Sequence, residues 1–343
     1  MLVQHIVESA WCFNRNEKMK NIITSIALTI LSFQTNAQNA PWNLVNNYSF
    51  EDLNYCNYNT DPIDTNQTNP PVLKYWYSPA TFPTSDYFNV CFQIPPLGVN
   101  YYSVPDNTFS FQYAYGSGSA FIGIFASNPA DSGEYREYVQ TKLRKQLKKN
   151  KKYCVGMYAN LAFDPNKTNV DVRATKDLSL LLSKVRPHND NIDPFASSLI
   201  IDTPQVSANN YITDTLNWTP IIGIVTAQGG EKWLTLGNFK PNMQTDIIDI
   251  YHNPHSIYPM CYYFIDNVFV IPMENEEALL HKDTAICANN FPLQLTANQG
   301  FTDYEWNNGT QSSSIQINQA GTYTVSATYA GCTIIDTIQV KLK

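Results

Sequence analysis

The chain has 343 residues, of which only 15% are charged, and a formal net charge of -7. Such a balance argues against a nucleic-acid partner, and no stretch is both long and apolar enough for a membrane-spanning helix. Tyr, Phe, Thr and Asn are abundant, and aromatic and β-branched residues fit pleated surfaces, so the composition points to an all-β fold.

Residues 1–37 read as a leader. Lys18 and Lys20 precede the apolar run Ile22 to Phe33, and Thr35-Asn36-Ala37 follow, which is the charged, apolar and small-residue order of a secretory signal peptide. Met19 makes the better start, because MKNIITSIALTILSFQTNA is a complete signal by itself. Of seven cysteines, six remain once Cys12 goes with the leader: Cys56, Cys91, Cys154, Cys261, Cys287 and Cys332. An even number in an exported chain suggests disulfides, and the absence of C-x-x-C spacing argues against a zinc ribbon. Sequence alone does not fix the pairing. Position along the chain favours Cys287 with Cys332, which bracket one compact unit, then Cys56 with Cys91, leaving Cys154 with Cys261.

Strand signals dominate from there on. Phe109, Phe111, Tyr113 and Tyr115 alternate, as do Ala120, Ile122, Ile124 and Ala126, and Gly116-Ser117-Gly118 lies between them, a hairpin pattern. The basic stretch Arg136 to Lys152 reads as a solvated connection rather than a membrane or heparin patch, with Arg136 and Glu137 as a cross-strand ion pair. Alternation returns in Tyr153 to Leu161, Trp218 to Val225, Trp233 to Leu236 and Tyr262 to Val270. Asp61 to Pro71, Pro187 to Pro194 and Asn238 to Pro259 read as loops. Asp249, His252 and His255 have metal-like spacing, but they sit in one of these loops and lack a fourth ligand. Many strands and hardly a helix imply a sandwich or jelly roll over residues 38–273, with 274–282 as a polar linker and 283–343 as a second unit.

In residues 283–343 the order Cys287, Tyr304-Glu305-Trp306-Asn307-Asn308-Gly309, Gly321-Thr322-Tyr323-Thr324-Val325 and Gly331-Cys332 resembles the Ig-like modules of Bacteroidetes surface adhesins and gliding-associated proteins. The resemblance implies Trp306 packed on a Cys287–Cys332 bridge in a small sandwich. In the larger unit, Asn43 to Glu51 at one end and Tyr262 to Val268 at the other resemble the terminal strands of galactose-binding-like jelly rolls, the fold of many carbohydrate-binding modules. Thr84 to Asn89, Tyr135 to Tyr138, Gly229-Gly230-Glu231 and Leu236 to Phe239 resemble a Bacteroidetes version of that fold.

What this resemblance implies is a structural calcium ion held by Glu51 and Asp266 with backbone carbonyls, tying the first strand to the last. Read without it, Glu51 is an exposed strand-end residue and Asp266 caps a turn. The resemblance also implies a glycan or another cell-envelope component as ligand. Trp76, Tyr77, Tyr101 and Tyr102 flank loops and are the aromatic candidates for holding it, whereas Trp218 and Trp233 lie within alternating strands and read as buried. No G-x-S-x-G elbow, phosphate loop or H-E-x-x-H motif is present. Glu134, Glu137 and Glu231 are the carboxylates that a glycosidase pair would draw on, and no catalysis is expected from them. The expected product is a non-catalytic binding protein, secreted, at the cell surface or periplasmic. The alternative is a structural or adhesive envelope protein that binds protein or peptidoglycan.

Overall fold

The runs of alternating aromatic and β-branched residues become strands. A computed structural model describes residues 40–56, 72–80, 84–92, 101–127, 134–167, 169–191, 199, 203–256, 259–274, 276 and 278–343. Two compact units divide between Glu274 and Asn275. The protein is almost entirely β.

The larger unit holds strands β1 (Trp76–Tyr77), β2 (Asp86–Asn89), β3 (Ala120–Ser127), β4 (Val139–Lys142), β5 (Lys152–Leu161), β6 (Asp171–Thr175), β7 (Ser179–Ser183), β8 (Val206–Ser207), β9 (Thr219–Thr226), β10 (Trp233–Gly237), β11 (Ile247–Tyr251) and β12 (Pro259–Pro272). They form a five-stranded sheet in the order β1-β4-β10-β7-β8 and a second sheet in the order β11-β6-β12-β3-β2, from which β5 and β9 branch through β12. Side chains alternate between the faces of a strand, so each sheet has one face in the core. Trp76, Val139, Leu180, Leu182, Leu234 and Leu236 of the five-stranded sheet share that core with Ile122, Ile124, Val155, Met157, Tyr263 and Ile265 of the other, all nearly or fully buried.

β12 is the long central strand. It pairs antiparallel with β3 through Cys261 to Ile265 and with β5 through Tyr263 to Pro272, with a bulge between Asp266 and Phe269. Beyond Ile265, where β3 ends, the chain's first described residues take its place: Leu44 N–H donates to Val270 O and Val268 N–H to Tyr48 O, both at 2.8 Å. The two ends of the unit are thus joined.

Several expectations change. The hairpin of residues 109–115 with 120–126 is not formed, because both edges of β3 are occupied by β2 and β12; residues 101–118 instead cross the outer face of this sheet. β11 lies inside the segment read as the loop Asn238 to Pro259 and pairs with β6. The loop Asp61 to Pro71 and the leader lie outside the described residues. Cys56 and Cys91 are bridged, and Cys154, Cys287 and Cys332 are each disulfide-bonded. Cys261, however, is a free, buried thiol, so Cys154 is not its partner. Cys154 stands opposite Ile271, ten positions further along β12, which places the two cysteines roughly 30 Å apart at about 3.3 Å per residue. Burial pushes the Cys261 thiol up to about 12.

The smaller unit contains β13 (Thr284–Ile286), β14 (Leu293–Thr296), β15 (Thr302–Trp306), β16 (Ser314–Ile317), β17 (Gly321–Tyr329) and β18 (Cys332–Leu342), as a sheet β13-β18-β17-β15 and a pair β14-β16. Ala278, Leu279 and Leu280, within the expected linker, are buried, and the N–H groups of Leu279 and Leu280 donate to the Asp336 carboxylate at 3.1 and 3.0 Å. Trp306 is buried, and its indole N–H donates to Ser312 O at 2.8 Å. Trp306→Ala should cost this unit about 3–5 kcal/mol, as other large-to-small core changes do. Hydrogen-exchange protection of the β17–β18 amides reads the loss, and unchanged protection would show that the indole is not core.

Candidate functional site

The seam between the chain ends is built from unusual backbone. Asn47 and Phe50 have φ of 47° and 61°, and Asn267 has φ of 48°. Positive φ is expensive for a bulky residue such as Phe50. Local packing holds it there: its ring is fully buried against Trp76 at 4.9 Å, and its carbonyl accepts the Tyr87 hydroxyl at 2.8 Å. Asn47 closes the turn by accepting Asp52 N–H at 2.8 Å and donating to the carbonyls of Asp52 and Lys74. That turn aims Glu51, not Asp52, towards β3.

Glu51 Oε1 accepts the N–H groups of Ser119 and Ala120 at 2.8 and 3.2 Å. Asp266, at the β12 bulge, accepts Tyr115 N–H on Oδ2 at 2.8 Å and Asn267 N–H on Oδ1 at 2.6 Å. The two carboxylates therefore hold the two ends of the turn 115–120. Gly118 lets the carboxylate approach, since a Cβ there would stand 2.8 Å from Glu51 Oε1 and push the side chain aside. Burial raises the Glu51 carboxyl above its usual range, against the Ser119 and Ala120 hydrogen bonds that lower it. Asp266 is raised well above its usual range, first by burial and further by the Glu51 charge, against its own two backbone hydrogen bonds.

Glu51 and Asp266, the pair expected from the sequence resemblance to hold calcium, thus both bond to the turn 115–120, one at each end. Their donor set suits a hard, oxygen-seeking cation. Among the described residues Glu51 Oε2 carries no hydrogen bond and no Lys or Arg pairs with either group, and the Glu51 charge adds to the cost of ionising Asp266. About six to eight oxygens are needed for calcium, so main-chain carbonyls and water would have to complete the shell. Among the described residues, no cluster of three or more His, Cys, Asp or Glu side chains is placed to bind a metal. Asp249 pairs instead with Arg173 at 2.8 Å and His252 with Asp171 at 3.1 Å.

The aromatic candidates separate by strand parity. Trp76 faces inwards and is fully buried, its indole N–H donating to Asn47 O at 2.9 Å; it is core and not a ligand platform. Its neighbour Tyr77 points outwards and is half-buried. Tyr101 and Tyr102 are exposed, and Phe111 and Tyr113, assigned from sequence to a hairpin, are exposed by 54% and 64%. These four lie on the segment that Glu51 and Asp266 pin. Beneath it, Phe88, Phe121, Tyr262 and Phe264 form a buried aromatic layer, with Phe109 stacked on Tyr262 at 4.3 Å. Trp218, expected to be buried, is half-buried and donates its indole N–H to Tyr113 O at 3.1 Å.

A second carboxyl group lies under this face. The Tyr262 hydroxyl donates to Asp86 Oδ2 at 2.6 Å, passing over Gly123, where a Cβ would stand 2.1 Å from the hydroxyl oxygen. Glu137 is buried and accepts Phe125 N–H at 2.9 Å; burial, then the Asp86 charge, hold its carboxyl well above the usual range. The expected Arg136–Glu137 ion pair is absent. Adjacent residues in extended chain point to opposite sides, and Arg136 pairs with Glu134 at 2.8 Å.

No family model matches the chain, and no curated protein matches it. Similar solved structures include an arabinose-bound GH51 α-L-arabinofuranosidase (9% identity, TM-score 0.30, 67% of this chain and 26% of that one). Another is the pair of CBM22-1 and GH10 modules of Clostridium thermocellum xylanase 10B (8%, 0.25, 51% and 28%). A third is a CBM4 carbohydrate-binding module (15%, 0.27, 66% and 99%). This chain spans about a quarter of the length of the first two.

The raised carboxyls set a sign for pH. The folded protein holds these protons more tightly than the unfolded chain, so the stability they contribute is full below the unfolded values and is lost as pH rises through the raised ones. The stability of Glu51→Gln relative to the wild type should therefore improve as pH rises from about 4. Denaturant unfolding in chelator at a series of pH values measures it, and a difference that does not vary with pH refutes the assignment.

Proposed function

We propose that residues 38–273 form a galactose-binding-like jelly roll of an exported, non-catalytic protein that binds glycan, and that the smaller unit is an Ig-like spacer. The observation that carries this reading is the set of exposed aromatic side chains, Tyr101, Tyr102, Phe111 and Tyr113, on one segment whose end is held by the half-buried Glu51 and the buried Asp266. Aromatic faces flanked by a few polar groups suit the apolar faces and hydroxyls of sugars. Calcium between Glu51 and Asp266 would neutralise two charges that burial makes costly and would stiffen the turn 115–120. Export agrees with the disulfide-bonded cysteines. No helix among the described residues is long and apolar enough to cross a membrane.

Two outcomes test this. Calcium should raise the thermal midpoint of the wild-type chain, and Glu51→Ala should remove the rise. On a glycan array, the chain from Gln38 onward should bind saccharide, more weakly in chelator, and Tyr113→Ala should lose about 1–2 kcal/mol of binding, the worth of a partly buried aromatic side chain. Binding to no saccharide, with retention on peptidoglycan or an envelope protein, would replace this reading with a structural or adhesive one.

A further inference from the structure

The outer face of the five-stranded sheet carries a group that the reading above does not use. Tyr77, Gln140, Thr235 and Leu181 stand side by side across β1, β4, β10 and β7, and Trp233 lies one row away, opposite Lys142 and Ser183. Over this face lies the segment after β7. Its Arg186 guanidinium sits over both aromatic rings, 5.3 Å from the Tyr77 centroid and 5.4 Å from that of Trp233. The Pro187 carbonyl accepts the Gln140 amide at 3.1 Å.

Three polar atoms here are buried without a hydrogen-bond partner: Arg186 Nε, Gln140 Oε1 and Thr235 Oγ1. Gln140 and Thr235 are fully buried residues. Native proteins rarely leave such atoms unpaired, and here three of them surround one patch. Among the described residues no carboxylate pairs with Arg186 either. A guanidinium resting on two rings and lacking a carboxylate partner is a fork available to a planar anion. Its surroundings have the matching charge: Lys142 faces outwards beside Trp233, and Lys184 precedes Arg186 by two residues. The nearest acidic residue on the segment, Asp190, is exposed and lies 3.9 Å from His188.

We propose that this face is a subsite for a carboxylated sugar, a uronate unit of an acidic polysaccharide. The proposal rests on the glycan-binding reading and narrows its ligand class. Arg186 turns outwards to take the carboxylate through paired N–H donors. That movement bares the faces of Tyr77 and Trp233 for the sugar ring and opens Gln140 Oε1 and Thr235 Oγ1 to its hydroxyls. Both atoms accept hydrogen bonds, and both are unpaired until then.

Polygalacturonate oligomers and their methyl esters, which share the sugar backbone and differ in the charge and one methyl group of each carboxyl, separate the contribution of the carboxylate. By titration calorimetry at fixed ionic strength, the full chain should bind the acid about tenfold or more tightly than the ester, the scale of a charge-assisted hydrogen-bonded pair. Arg186→Gln should abolish the preference. Arg186→Lys keeps the charge but not the fork, so it should lose most of it, and binding of the acid should change Trp233 fluorescence in the wild type alone. Thermal midpoints of the variants confirm folding. Equal binding of acid and ester, or an Arg186→Lys variant that behaves as wild type, overturns the inference while leaving neutral-glycan binding intact. Failure to bind either polymer or any neutral glycan overturns both readings.

Discussion

β12 is bonded along one edge by β3 as far as Ile265 and by the N-terminal segment from Val268 onward, and the change of partner takes place at the bulge between Asp266 and Phe269. Asn43, fully buried, makes the exchange rigid. Its amide donates to Val268 O at 3.0 Å, and its Oδ1 accepts both Val270 and Val45 N–H at 3.0 Å. One side chain thus satisfies the groups that a departing strand leaves behind, which would otherwise be costly in the interior. Arg144 adds a clamp from outside, donating to the carbonyls of Ala40 and Asn43. The seam is a backbone hydrogen-bond requirement first and a site second.

From that constraint the carboxylate pair follows. Alternation with Tyr262 and Phe264 puts Asp266, the last regularly paired residue before the bulge, on the outer face beneath residues 113–118, while the positive-φ turn at Phe50 brings Glu51 to the other end of the same turn. Neither carboxylate is needed for the core. Each is held by backbone N–H donors at some cost in desolvation, and together they fix the segment that carries the exposed aromatic residues.

The strands of strict alternation, β3, β5 and β12, were legible in the sequence because both the period and the residue types agreed. What alternation does not carry is parity and edge availability. Phe109 to Tyr115 alternate as well as any strand here, yet β3 had no free edge for them. Trp76 and Tyr77 are adjacent and looked equivalent, but one faces the core and the other the solvent. Cysteine order could not show that β12 separates Cys154 from Cys261 by most of its length. That Glu51 and Asp266 bond to the same turn could be approached only through the likeness of the two chain ends to a known fold, since no spacing rule joins residues 215 positions apart. Arg186 left no signal, because its interest lies in partners it lacks.

Net charge also proved a coarse guide. The basic stretch 136–152 reads in sequence as a solvated connection, yet Arg136 is buried against Glu134 and Asn238, and Arg144 is spent on main-chain carbonyls. Lys142 remains outside, on the outer face of the five-stranded sheet beside Trp233. At physiological ionic strength, charges further apart than about 8 Å are largely screened. A chain of net -7 can therefore present a locally cationic face to an acidic polymer, and the sign that matters at Arg186 is set by Lys142 and Lys184 rather than by the whole molecule.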